Sequence, residues 1–373
     1  MVDISFCYLW LSVIESLTMN NSKIHLIAFY LPQFYPTPEN DEWWRKGFTE
    51  WTNVGNARPL FRGHYQPRVP SDLGYYDLRL PEVREQQADL AREAGIEGFC
   101  YWHYWFAGRR LLDKVFTEVV ESGHPDYPFC LCWANHSWYQ KTWDPSSPDK
   151  LLIEQTYPGE QDYINQFNAM LPAFKDKRYM KADGRLIYGI FDADSLKDFS
   201  LMKNIWNRLA AENGLPGFFF FGFCQGVHRL QKTQELGFDS IVYEHMPTVA
   251  REVRASLWSR IKGRINLPVT IDYSRYVREA LAYFREHPDF IPCMIPNFDH
   301  SPRSGLKGTI LVDSTPDKWY DYCREVRKIE DSKAKDERIV FIKAWNEWGE
   351  GNYMEPDLKY GKGYIEVTKK AFD

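Results

Sequence analysis

No run in the 373 residues reaches the roughly 20 consecutive apolar positions that a membrane-spanning helix needs. A surplus of positive charge is missing too. Lys and Arg number 46 against 51 Asp and Glu, a net charge of -5, which argues against a protein that coats nucleic acid. Cysteine is sparse and unpatterned: seven residues, at positions 7, 100, 130, 132, 224, 293 and 323, mostly inside apolar runs. None has the two-residue gap of a zinc knuckle or redox motif, and Cys130 and Cys132 have strand spacing. They read as reduced, small hydrophobes, which places the chain in the cytoplasm. No glycine-rich phosphate loop follows the first apolar run, and no His-rich cluster is present, so neither cofactor nor metal is expected. Residues 1–18 are apolar but carry Asp3 and lack the basic lead of a secretory signal. Met19 then reads as the natural start, with 1–22 a tail outside the fold and 23–373 a single domain.

What the chain has in excess is aromatic surface: 24 Phe, 23 Tyr and 14 Trp, 16% of the residues. Such rings fill cores, but exposed Trp and Tyr also make flat platforms for sugars. Eight β-branched and aromatic runs recur, at 24–30, 96–102, 129–133, 186–191, 217–223, 240–244, 291–295 and 339–345. Helix-patterned segments lie between them, at 81–94, 111–122, 161–174, 202–213, 273–285, 318–329 and 364–372. This alternation predicts an α/β fold, a (β/α)8 TIM barrel with long inserted loops after strands one and six. An open doubly wound sheet is the runner-up.

In such a barrel, activity sits at the C-terminal ends of the strands. The residues found there are Tyr30 and Gln33 after strand one, His103 and Tyr104 after strand two, and Trp133, Asn135 and His136 after strand three. Tyr243 follows strand six, Asn297 strand seven, and Trp345, Asn346, Glu347, Trp348 and Glu350 strand eight. Strand alternation sends some of these rings outward against helices. Trp51, with Glu50 and Asn53, lies in the long loop from about 36 to 77, where loop ordering and substrate contact are equally good readings. Glu244 alternates with its neighbours and reads as half of a structural ion pair. Asp192-Ala193-Asp194 is a helix cap in the simpler reading and a metal pair in the other. The insertion 247–268 carries Arg251, Arg254, Arg260, Lys262 and Arg264 and is expected to hold an extra helix. A solvated face is its first reading, and peripheral contact with an anionic partner, such as a membrane surface, its second.

Glu347 and Glu350 are the centre of the chemical argument. In a continuing strand they would point to different sides, but Gly349 and Gly351 permit a sharp turn that brings both into one pocket. Two carboxylates among tryptophans suit sugar chemistry, one protonated by burial and one ionised.

At these residues the sequence resembles a known family. Trp345-Asn-Glu-Trp-Gly-Glu-Gly351, with Glu355-Pro356 downstream, is similar to the signature of glycoside hydrolase family 99. Ala28-Phe-Tyr-Leu-Pro-Gln-Phe34 and Gly47-Phe-Thr-Glu-Trp-Thr-Asn-Val54 look still more like its WbsX-like branch, found in bacterial polysaccharide loci and named glycosyltransferase. The resemblance covers residues 24–373 and implies a retaining endo-α-mannosidase-like enzyme acting on an oligosaccharide or polysaccharide. It implies that Glu347 takes the proton of the sugar's 2-hydroxyl, which attacks the anomeric carbon to give an anhydro sugar. Glu350 would be the general acid and then base. The branch name implies the alternative, a glycosyltransferase in lipopolysaccharide, O-antigen or capsule synthesis. The family signature has His where this chain has Gly349, a departure that removes a potential sugar contact.

Overall fold

The computed structural model describes residues 23–140, 149–256, 267–333 and 338–373. Eight parallel strands form the centre: β1 (Ile24–Tyr30), β2 (Gly98–Phe106), β3 (Phe129–Trp133), β4 (Arg185–Ile190), β5 (Phe218–Gln225), β6 (Ser240–Glu244), β7 (Ile291–Met294) and β8 (Arg338–Ile342). Each pairs with its sequence neighbour, and β1 pairs with both β2, through Ile27 opposite Gly98, and β8, through Ile24 opposite Arg338. The sheet therefore closes into a (β/α)8 barrel, and the open-sheet alternative is excluded. The apolar, aromatic runs form strands because they are buried on both faces, by the barrel interior and by the helices.

The two faces hold separate aromatic layers. Inside, Phe29 stacks on Trp102 at 4.5 Å and touches Phe341 at 5.0 Å and Phe223 at 5.4 Å. Phe191 joins this layer through Trp102 and Phe223. Outside, Trp206 on the helix Phe199–Glu212 packs on Tyr188, Phe218 and Phe220 from β4 and β5. Burying each such ring contributes roughly 2–3 kcal/mol.

Several elements go beyond the expected pattern. The helix after β2 begins at Lys114, not at 111, because Arg109–Leu111 folds back antiparallel on the end of β2. Trp138–Gln140 and Lys150–Ile153 form a hairpin beyond β3. Val227–Glu235 is a helix, and Val269–Asp272 pairs with Thr309–Val312 in a small parallel sheet. The expected helix after β6 is present as Met246–Ala255. The six described cysteines are buried free thiols; Cys7 and the start at Met19 lie outside the described residues. Among the described residues, no helix is long and apolar enough to cross a membrane.

Candidate active site

The barrel mouth holds a cavity of about 620 Å³. Trp102 and Phe191 form its floor, continuous with the inner aromatic layer. Its walls come from two insertions: Trp43, Trp44 and Phe48 from the loop after β1, and Trp138, Tyr139 and Leu152 from the hairpin after β3. Trp44 and Tyr139 are 42% and 45% exposed, so the rim offers open aromatic faces.

Glu347 and Glu350 line the same side of this cavity. The turn anticipated from the glycines is present. Asn346–Glu347 pairs antiparallel with Asn352–Tyr353, and Trp348–Glu350 forms one tight turn between them. Gly351 closes the turn at φ 53°, where a Cβ would lie 2.8 Å from the Asp299 Cβ. The turn is tied down on all sides. The Asn346 side chain accepts from Leu31 N (2.7 Å) and donates to Leu31 O (3.0 Å). Trp348 stacks on Tyr353 at 3.7 Å, and Asp299 N donates to Glu350 O at 2.6 Å. Asp299 itself accepts from Gln66 (2.7 Å) and Ser301 N (2.9 Å) and pairs with His64 (2.7 Å). Burial works against its charge, but these partners and Arg68 hold its carboxyl down at about 2.

Charge is distributed unevenly over the pair. Arg303, from the one-turn helix Ser301–Ser304 after β7, gives Nη1 to Glu350 at 2.7 Å and to Glu347 at 3.4 Å. Lys343 faces the pair while binding Glu244 at 3.3 Å, so Glu244 is half of a buried ion pair as expected. Burial and then the Glu350 charge push Glu347 up to about 7. Burial also opposes ionisation of Glu350, but Arg303, Lys343 and His300 outweigh it and hold that carboxyl below its ordinary value. One carboxyl near neutrality beside one carboxylate can share a proton, the arrangement that acid/base chemistry uses. These surroundings favour the proton on Glu347 over Glu350, the reverse of the order that the 2-hydroxyl route starts from.

Of the other expected contacts, Gln33, Tyr104 and His136 line the cavity. The rest have different surroundings. On β2, Trp102 and Tyr104 face inward, so His103 points away; burial pushes its imidazole down to about 3. Tyr30 donates to Gln87 at 2.7 Å on the helix side of β1. Trp133 donates to Trp105 O, and Asn135 ties the ends of β3 and β4 together through Asp192 N and O. Tyr243 stacks on Tyr283. Asn297 binds Arg68 and Tyr353 beside a second, smaller cavity. Trp51 packs behind the wall on Trp348, Trp345 and Trp348 are fully buried, and Asn346 is the clamp on Leu31. Glu50 and Asn53 do reach the cavity. Sequence reasoning missed Trp43, Trp44, Trp102, Lys343 and Arg303 as lining residues. A Trp-Trp pair inside a long loop was the one available signal, since nothing in Ser301-Pro-Arg-Ser304 marks its arginine.

Asp192 and Asp194 both bind Arg229, so the Asp-x-Asp sequence holds an arginine here, and the helix expected after Asp194-Ser195 begins at Phe199 with Asp198 at its N-cap. Among the described residues, no His, Cys, Asp and Glu group could hold a metal ion. In the basic insertion, Arg260, Lys262 and Arg264 lie outside the described residues. Arg254 is exposed and donates to Thr309 and Lys307 O, and the expected peripheral membrane contact has no support among the described residues.

The family described as "Glycosyltransferase WbsX" matches residues 26–368. Two curated relatives, both described as uncharacterized protein WxcX and both from strains of Xanthomonas campestris pv. campestris, are 35% and 36% identical over 348 residues. Each match covers 93% of this chain and 49% of the relative, so the chain spans about half the length of these relatives. Among solved structures, one titled "Glycoside hydrolase-like protein" aligns with TM-score 0.60 at 13% identity, covering 95% of both chains. The GH99 endo-alpha-mannosidase from Bacteroides thetaiotaomicron aligns with TM-score 0.54 at 15% identity, covering 93% of this chain and 96% of its own. At such identities these two matches show the fold.

Proposed function

Because the chain belongs to the WbsX glycosyltransferase family, we propose that it is a carbohydrate-active enzyme working on glycosidic bonds, with retaining, endo-α-mannosidase-like chemistry at Glu347 and Glu350. The observation that carries this reading is the split pair: two buried glutamates, one near neutrality and one ionised, side by side in a cavity walled by tryptophans. The neighbouring fold titled an endo-alpha-mannosidase supports the substrate class. The printed family description keeps transfer to a sugar acceptor as the second reading. Six free buried thiols support a reducing, cytoplasmic setting.

In the proposed route, the 2-hydroxyl oxygen of the sugar bonds to its own anomeric carbon as the bond to the leaving oxygen breaks. One glutamate takes the hydroxyl proton and the other gives a proton to the leaving group. Water, or an acceptor hydroxyl, then opens the anhydro ring at the anomeric carbon with net retention. For Glu347 to be the base, its proton must pass to Glu350 when substrate binds. A 2-hydroxyl donating to Glu347 favours its ionised form, and a leaving oxygen beside Glu350 favours protonation there.

The test is an NMR incubation of the protein with α-mannosyl oligosaccharides, with and without nucleotide-sugar donors. New α-configured reducing ends without a donor, absent in Glu350→Gln, support hydrolysis. Nucleoside diphosphate release with a new glycosidic bond identifies the transferase. Activated aryl glycosides assign the roles, because the variant lacking the acid keeps turnover on a good leaving group while the variant lacking the base does not.

A further inference from the structure

Arg303 holds a third carboxylate besides the pair. Its Nη1 edge faces Glu350 and Glu347, while Nε and Nη2 each lie 3.1 Å from one oxygen of Glu50. Glu50 is the first residue of the helix Glu50–Asn56 in the loop after β1, and this helix packs against both Ser301–Ser304 and Trp348–Glu350. It is 4% exposed.

The backbone between the paired glutamates makes room for this carboxylate. A Cβ on Gly349 would lie 2.0 Å from Glu50 Oε2 and 2.9 Å from Arg303 Nε. Gly349 is not among the glycines at positive φ, so its backbone does not demand glycine. What the site demands is the absence of a side chain. The space a His would fill in the related signature is occupied here by the carboxylate of Glu50.

We propose that Glu50, admitted by Gly349, pins Arg303 against the pair and so decides which of Glu347 and Glu350 carries the shared proton. A guanidinium is a rigid planar fork. With Nε and Nη2 engaged by Glu50, it cannot turn, and Nη1 stays at 2.7 Å from Glu350 against 3.4 Å from Glu347. Glu50 thus acts in two opposed ways. Its charge favours protonation of the pair, and its grip on Arg303 keeps Glu350 ionised. The other groups facing the pair come from every side. Lys343 and Glu244 form an ion pair beneath it, and His300 stands 3.7 Å from Glu350. Tyr104 and His136 look across from β2 and the end of β3. The Glu50 charge also acts directly on Glu347, Tyr104 and His300, so Glu50→Gln reads that charge while Gly349→Ala reads the grip on Arg303. The inference rests on the reading of Glu347 and Glu350 as the acid/base pair, and Glu50 is a positioning residue in it.

The test reads the proton directly. Infrared difference spectra of the full chain are recorded across pH 4 to 9, and the carboxylic-acid carbonyl band is assigned by its loss in Glu347→Gln. In the parent this band should fade through about pH 7. Glu50→Gln keeps an acceptor for Arg303 but removes the charge, so the midpoint should fall by about one pH unit. Gly349→Ala displaces the carboxylate and frees Arg303, so the midpoint should rise, and Glu350→Gln should now also weaken the band. Opposite shifts support the clamp. An unmoved midpoint in the isosteric Glu50→Gln overturns it, as does a shift of the same sign in both variants. The spectra need no substrate, so oligosaccharide assays run beside them separate failure of the clamp from failure of the glycosidase reading.

Discussion

Two buried carboxylate sites lie a few residues apart along one segment and could be mistaken for each other. Burial pushes both Glu347 and Glu355 up to about 7. Their partners differ. Glu355 accepts from Trp348 Nε1 (2.5 Å), Gln87 (2.6 Å) and the Tyr76 hydroxyl (2.9 Å), all neutral donors, behind the cavity wall. Glu347 faces Glu350 and the cations Arg303 and Lys343, and opens onto the cavity. A perturbed carboxyl alone therefore does not mark a catalytic group. Access to a ligand-sized space, and a second ionisable group able to trade a proton, separate the proposed acid/base pair from the structural brace.

The widest separation should appear in turnover. Glu347→Gln and Glu350→Gln should each lower kcat/KM on an unactivated oligosaccharide by about 10³-fold, in the range expected for losing an acid or base. Thermal stability should be little changed in Glu347→Gln, whose carboxyl is already close to neutral, and unchanged or raised in Glu350→Gln, which removes one charge from a crowded buried cluster. Glu355→Gln should keep most of the activity, since its carbonyl can still receive Trp348 and Tyr76. Reducing-end release followed by NMR checks all three, and an equally dead Glu355→Gln would erase the distinction.

Stability should show the mirror image. Glu355→Ala strips three buried donors of their acceptor and leaves a hole, a loss of about 4 kcal/mol. Urea unfolding midpoints measure it, and Glu350→Ala should cost clearly less.

The pH dependence of folding sharpens the contrast further. The folded chain binds the Glu355 proton more tightly than the unfolded chain does. Its contribution is thus fully present below the ordinary value of 4.5 and is lost as pH rises through about 7. This corresponds to roughly 3 kcal/mol over that interval. The parent should therefore lose stability between pH 4.5 and 7 relative to Glu355→Gln, and parallel profiles for the two would disprove it.

The reach of sequence reasoning divides along the same physical line. The eight strands were legible because each is a run of β-branched and aromatic residues; β1, β3 and β6 match the expected ranges residue for residue. The dyad was legible because two glutamates and two glycines share one short segment. Which face a strand residue shows was not. A barrel strand is buried on both faces, so its hydrophobic pattern carries no phase. His103 and Trp102, or Tyr243 and Glu244, are equally apolar in context and differ only in direction. Arg303 was illegible for another reason: its importance comes from Glu50, 253 positions away. Gly349 was read as a missing contact, and only the geometry shows what fills its place.

The smallest effect is expected at a third acidic pair, and it limits the rule that cation-bound carboxylates mark the site. Asp192 and Asp194 both bind Arg229, as the dyad binds Arg303, but neither lines the cavity. Their side chains are 20% and 14% exposed, so solvent screens the pair. Asp194→Asn should cost about 1 kcal/mol or less and leave turnover unchanged. With both carboxylates committed to a guanidinium, EDTA followed by Mn²⁺ should also leave activity as it was. If chelation abolishes activity, Mn²⁺ restores it and Asp194→Asn blocks that rescue, then Arg229 gives way to a metal in the working state. The Asp-x-Asp sequence would then belong to a nucleotide-sugar transferase, and the glutamate pair would need a different role.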